Sequence, residues 1–280
     1  MRAMIRILKN LSTKFSYMVN KSKIQSLQSS TFDSKLHSFF GVKNCYLCDE
    51  KIKTHPYFCD NCYQDLPTLN TKCFTCCLPL TLESHDLFSS NLLCGECISK
   101  PPSFNQTFCA YEYRFPINQI IRRIKYSKQR YWIKPLCQLL ADEISVAELH
   151  CNHFSRPDIL IPIPMHKSKS KIRGFNQADL IANFLSKKLN IPVAKKILLK
   201  TKNTETQAQL NKKQRMNNLQ GSLSISKSTF KNNLLKGKHI ALVDDVMTTK
   251  TTCELASKLL LASGASRVDV MCIARTPKEN

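Results

Sequence analysis

Eight cysteines in this chain fall into four Cys-x-x-Cys pairs, Cys45-x2-Cys48-x10-Cys59-x2-Cys62 and Cys73-x2-Cys76-x17-Cys94-x2-Cys97. The same two-pair arrangement occurs twice, which marks an internal repeat. Two thiolates three positions apart can face one ion from a tight turn, and a second pair completes the tetrahedron that zinc prefers. Each set is expected to hold one zinc. Four protein ligands leave no position for water, so the expected metal is structural rather than catalytic. Disulfides are the alternative, but no secretory segment is legible at the start of the chain, and in a reducing compartment this spacing reads as metal. A segment of about 60 residues buries little apolar surface. Metal binding is therefore expected to supply most of its folding free energy, roughly 10–16 kcal/mol for structural zinc in peptides. Cys77, beside Cys76, and His85, between the pairs, are expected to be bystanders.

A second constellation lies near the carboxyl end, in the run Ile240-Ala-Leu-Val-Asp244-Asp245-Val-Met-Thr248-Thr249-Lys250-Thr251-Thr252. Two adjacent carboxylates close an apolar strand, and hydroxyls then lead into a helix. Hydroxyls, backbone N–H groups and a helix dipole suit a phosphate. The carboxylates suit sugar hydroxyls or a developing positive charge, so a ribose 5-phosphate satisfies both ends. The plain alternative is an acidic helix cap with a threonine-rich turn. A third cluster, Lys167, Lys169, Lys171 and Arg173, precedes Gly174-Phe-Asn-Gln177, which opens a helix. The lysines fit a solvated loop as well as an anion site. Arg173, beside a glycine turn, offers the bidentate fork that anions favour.

These residues need a frame. Thr107 to Phe115 reads as a strand or hairpin bounded by Pro116. Ile117, Ile120, Ile121 and Ile124 repeat at helical spacing, with Arg122, Arg123, Lys125, Lys128 and Arg130 on or beyond the other face. A second helix spans about Trp132 to Leu149. Beyond it, short apolar runs alternate with helices: a strand over 158–164, a helix over 178–189, short strands at 197–199 and 223–225, a strand over 239–245, a helix over 253–263 and a last strand over 267–274. Such alternation predicts an α/β fold with a mostly parallel sheet covered on both faces. Ligands of such sheets bind just past the carboxyl ends of strands, here after Val243 and after Ile163.

At 280 residues and about 150 per domain, roughly two domains are expected. Their bounds are a basic arm over 1–40, a double zinc-ribbon segment over 41–100 and an α/β domain over 101–280. Lysine and arginine total 42 against 20 acids, a formal charge of +22 that favours anionic partners. Apolar residues make up 42%, enough for a core and too many for global disorder. No apolar run reaches about eighteen residues, so no membrane-spanning helix is expected. The first 44 residues carry eight basic residues and one acid, Asp33, read as an arm for nucleic acid or lipid, a frayed tail, or a start set too early with Met18 as the true one.

The acidic run resembles the phosphoribosyl pyrophosphate signature of type I phosphoribosyltransferases, an acidic pair before a loop of the form Thr-Thr-Gly-x-Thr. The resemblance implies that Asp244 and Asp245 act catalytically by holding the ribose hydroxyls, and that Thr248, Thr249, Lys250, Thr251 and Thr252 hold the 5-phosphate. Lys250 stands where that family usually has glycine. The chain from about Phe39 to Thr276 is similar to the ComF family. The marks are the doubled cysteine sets with Leu66-Pro67 and Pro101-Pro-Ser-Phe104, then Ile124-Lys125-Tyr126, Ile161-Pro-Ile-Pro164, Arg173-Gly-Phe-Asn-Gln177, Gln207-Ala-Gln-Leu210 with Arg215 and Asn218, and the acidic loop. The family often has glycine where this chain has Asp49 and Cys77.

What the resemblance implies is a phosphoribosyltransferase-like domain with two structural zinc ions and Mg2+ accompanying phosphoribosyl pyrophosphate. Arg173 would face the pyrophosphate, and 195–238, with eleven basic residues and one acid, Glu205, would form a hood around Gln207, Gln209, Arg215 and Asn218. The implied role is a cytoplasmic competence protein handling incoming single-stranded DNA, alone or with other competence proteins. Tyr111, Tyr113 and Trp132 would stack on bases. An active phosphoribosyltransferase of nucleotide metabolism and a sugar-phosphate-sensing regulator are the alternatives.

Overall fold

Two short helices, each opening directly after a cysteine, begin the architecture. They are α1 (Asp60–Gln64), capped by the Cys59 sulfur accepting from the Cys62 N–H, and α2 (Gly95–Ser99), which follows Cys94. In this computed structural model, residues 44–52, 55–80, 92–150, 154–201, 221–227, 229 and 233–278 are described. The arm expected over 1–40, His85, and the hood residues Gln207, Gln209, Arg215 and Asn218 lie outside them.

The α/β part then runs β1 (Thr107–Glu112), α3 (Ile117–Ser127), a 3-10 turn (Arg130–Trp132), α4 (Ile133–His150), β2 (Ile159–Pro162), α5 (Lys167–Arg173) and α6 (Gln177–Leu189). It continues through β3 (Leu198–Lys200), β4 (Leu223–Ile225), β5 (His239–Met247), α7 (Thr251–Ala262) and β6 (Arg267–Arg275). β1, β6, β5 and β2 form one sheet in that order, with every pairing parallel. β3 and β4 pair antiparallel as a separate ribbon that brackets the basic segment between them. The fold class legible in the sequence, α/β with a parallel sheet behind an amino-terminal four-cysteine segment, is the one observed.

Helices cover both faces of the sheet, which is why β5 and β6 are apolar at consecutive positions rather than alternate ones. One core joins Ile121, Ile124, Leu136, Leu140 and Ile181 to Phe58 and Leu66 of the first cysteine set. The other joins Leu242, Leu260, Val270 and Phe104 to Cys73, Cys76, Cys94 and Cys97. The two cysteine sets thus belong to different cores of the sheet. A half-buried ion pair between Lys72 and Glu143, with Lys72 also donating to the Cys109 carbonyl at 3.0 Å, fastens the segment to α4 and β1.

Several expectations shift. The basic run at 167–173 folds as helix α5 rather than a loop: the His166 ring accepts from the Ser168 N–H, and Gly174 at φ 75° ends it. Its lysines and serines carry no apolar period, so nothing local announced a helix. β5 extends two residues past Asp245, and α7 begins two residues before Cys253, which leaves only 248–250 as the connection. Of the aromatics expected to stack on bases, Tyr111 (0% exposed) and Trp132 (3%) are core residues and present no face to a ligand. Tyr111 packs among the residues around β1, and Trp132 meets Tyr46 edge-on at 5.6 Å. Among the described residues, no helix is long and apolar enough to cross a membrane.

Candidate phosphate loop and metal centres

The eight cysteines chosen by spacing are brought together as two sets, Cys45, Cys48, Cys59 and Cys62, and Cys73, Cys76, Cys94 and Cys97. Within each set the sulfurs lie within 4.8 Å of one another, close enough to share one ion. Thiols this crowded cannot all ionise without a cation. Hydrogen bonding from Cys62 lowers Cys45 to about 4, and hydrogen bonding from Cys76 lowers Cys73 to about 4. Burial meanwhile raises Cys48 to about 11 and Cys97 to about 12. A divalent soft cation removes the conflict and makes all four thiolates, the state zinc takes in such sites. The donor sets therefore fit zinc. The Cys77 thiol is directed elsewhere, donating to the Thr107 carbonyl at 2.9 Å.

The three places where the resembled motifs favour glycine, two in the cysteine pairs and one in the threonine loop, share one property. Asp49 (φ 67°), Cys77 (φ 51°) and Lys250 (φ 62°) all adopt the left-handed conformation that glycine enters freely. Side chains in this region cost about 1–2 kcal/mol, less for aspartate. The chain thus keeps the backbone geometry of the motif with residues that strain it.

Asp244 and Asp245 sit in the last part of β5, opposite β6 and just past the point where β2 ends at Pro162, which pairs with Val243. Successive strand residues point to opposite faces, so the pair divides its work. The Asp244 carboxylate accepts from the Asp245 N–H at 2.8 Å and lines a shallow open cup with Val246 and residues 247–253. Asp245 pairs with the Lys125 ammonium at 2.7 Å. Thr248 and Thr249 are exposed at the rim, and the Thr249 and Thr251 hydroxyls are 3.0 Å apart. Thr251 opens α7, so the first N–H groups of a 12-residue helix face the cup without intrahelical partners.

Burial, reinforced by the charge of Asp245, pushes Asp244 up to about 7, with Lys125 and Lys200 opposing. Because the folded value lies above the ordinary 3.8, the contribution of this group to stability is present below pH 3.8 and lost as the pH rises through about 7. A ligand held by the carboxylate form should behave oppositely. Its affinity is expected to rise between pH 6 and 8 with proton release on binding, and Asp244→Asn should flatten the profile; calorimetry in buffers of different ionisation heat reads both.

Three residues of the site went unassigned in the sequence. Lys125 stood in the Ile124-Lys125-Tyr126 mark, but only the packing of α3 brings it to Asp245. Lys200, at the end of β3, shares the field of Asp244 and Lys169, and burial lowers its affinity for protons. Arg275, at the end of β6, donates to the Met247 carbonyl at 3.0 Å and to that of Thr248, holding the strand end. Arg173 is placed differently from the threonines: its guanidinium lies 5.2 Å from the Tyr126 ring centroid and bonds Gln177. Lys250 contributes backbone to the cup, while its ammonium reaches Glu96 at 3.3 Å. Lys125→Met strands the largely buried Asp245 carboxylate and should cost about 3 kcal/mol, the lower end for breaking a buried pair, as a shift in urea midpoint.

A parallel sheet whose strand end carries an acidic pair and a threonine cup, joined to two four-cysteine sets, defines an α/β protein with two candidate structural metal sites. The chain is 32% identical over 234 residues to the DNA utilization protein YhgH of Escherichia coli K12, covering 83% of this chain and 96% of that protein. It is also 32% identical over 234 residues to competence protein F of Haemophilus influenzae, covering 82% and 90%. The chain belongs to this ComF and YhgH family. No family model matches the sequence. Among solved structures, a purine phosphoribosyltransferase from Pyrococcus horikoshii aligns over 52% of this chain and 74% of its own, with 18% identity and a TM-score of 0.30.

Proposed function

We propose that this chain is a cytoplasmic competence protein that handles internalised single-stranded DNA and binds phosphoribosyl pyrophosphate with Mg2+ at the cup of residues 248–252. One observation carries the ligand: the acidic pair and the hydroxyl-lined opening of α7 are contiguous across three residues. The free N–H groups and the positive helix end accept the 5-phosphate. Asp244 and Asp245 accept from the ribose hydroxyls, with the Lys125 ammonium 2.7 Å from Asp245. Asp244 and the hydroxyls of the cup offer the oxygen-rich setting Mg2+ prefers, and the ion would there offset the charge of the pyrophosphate. If a nucleophile then displaces pyrophosphate, the carboxylates stabilise the cationic sugar.

The DNA reading draws on the names of the relatives and on a surface the structure supplies. Tyr126 (68% exposed) and Tyr131 (47%) stand beside the exposed Arg122, Lys128 and Arg130 on and after α3. Aromatics stack on bases and cations track phosphates in single-strand sites. Titrating a labelled oligonucleotide across a salt series tests this reading, with a slope of about −0.7 per phosphate contacted and weaker binding by Tyr126→Ala with Tyr131→Ala. A salt-independent signal argues against it. Incubation with phosphoribosyl pyrophosphate and each common nucleobase, followed by product analysis, decides turnover.

A further inference from the structure

The two cysteine sets stand differently toward the cup. The first packs through Tyr46 against Trp132 and Tyr131. The second is tied to the loop by three separate contacts. Lys250, whose side chain is only 10% exposed, sends its ammonium to Glu96 at 3.3 Å and to the Cys97 sulfur at 3.7 Å. Arg275, 4% exposed, donates from Nε to the Cys76 carbonyl at 2.9 Å while its Nη1 holds the carbonyls of Met247 and Thr248. Ser103, just past the second set, donates from N–H and hydroxyl to the Glu254 carboxylate, in the first turn of α7, at 2.7 and 2.9 Å.

We propose that the second four-cysteine site is the buttress of the phosphate loop, with Lys250 as the latch, so that metal at this site and not at the first fixes the cup. Zinc held by four thiolates carries a net negative charge that a nearby ammonium offsets, and such partners outside the ligand set tune metal affinity. This explains why a strained residue occupies a glycine position. Glycine would relax the backbone at φ 62° and release the side-chain tie at the same time. Any effect on sugar-phosphate affinity rests on the reading proposed above, whereas the buttress itself does not.

The test uses the full-length zinc-loaded chain. Lys250→Met is expected to speed release of one zinc equivalent to a chelator about tenfold, leaving the other unchanged, and to raise amide exchange over 248–252. Lys250→Arg should restore both, and Lys250→Gly should resemble Lys250→Met despite its relaxed backbone. Cys97→Ser should raise loop exchange while Cys62→Ser should not; if either serine variant fails to fold, the Lys250 series decides. Wild-type zinc release and loop exchange in Lys250→Met, or equal loop effects of folded Cys62→Ser and Cys97→Ser, would overturn the buttress. Phosphoribosyl pyrophosphate added to the same samples separates the claims: a latch effect without wild-type binding removes the ligand reading and keeps the buttress, and binding without a latch effect does the reverse.

Discussion

Alanine at both Asp244 and Asp245 is expected to abolish measurable binding of phosphoribosyl pyrophosphate and Mg2+. In the proposed complex each carboxylate would supply charge-assisted hydrogen bonds to ribose hydroxyls, worth about 1.5–3 kcal/mol apiece. Losing both weakens binding by more than about a hundredfold. Folding must be watched in parallel, because Asp245 neutralises the largely buried Lys125 and its removal leaves that cation alone. Asp245→Asn keeps a side-chain acceptor for Lys125 and isolates the lost charge. Titration calorimetry alongside thermal melts separates the effects: a folded double variant with wild-type heats contradicts the site.

Stripping the metal is expected to have the largest effect on stability. Purified chain should contain two zinc equivalents, one for each cysteine set. Structural zinc contributes about 10–16 kcal/mol in peptides, as much as the whole stability of a typical domain, about 5–15 kcal/mol. The sets lie in the two cores of the sheet, Cys45 and Cys59 with Ile121 and Leu136, Cys73 and Cys97 with Leu242 and Val270. Damage should therefore spread beyond the ribbon segment. Chelation is expected to lower the melting temperature of the whole chain and expose the thirteen described cysteines to thiol reagents. A chelated chain with an unchanged melt and protected thiols would contradict this assignment.

The features read correctly from sequence are those encoded over short distances. Cys-x-x-Cys spacing announces its geometry because a tight turn needs only four residues, and the consecutive apolar residues Ile240 to Val243 mark a strand covered on both faces. What stayed hidden depends on how distant elements meet. The ammonium of Lys125 reaches Asp245 across 120 positions, and that of Lys250 reaches Cys97 across 153. Neither neighbour is visible in a local pattern. Tyr111 and Trp132 looked available for stacking because aromatic character does not say which side of β1 or of the 3-10 turn is covered. The left-handed φ of Asp49, Cys77 and Lys250 was half legible: family glycines pointed to the positions, and the structure shows the conformation kept without them.

The most direct measurement is a crystal structure of the chain grown with saturating phosphoribosyl pyrophosphate and Mg2+. The expected density places the 5-phosphate against the N–H groups of 249–252 and the ribose hydroxyls within hydrogen-bond reach of Asp244 and Asp245. Ligand bound elsewhere on the chain, with that cup filled only by water, would contradict the account.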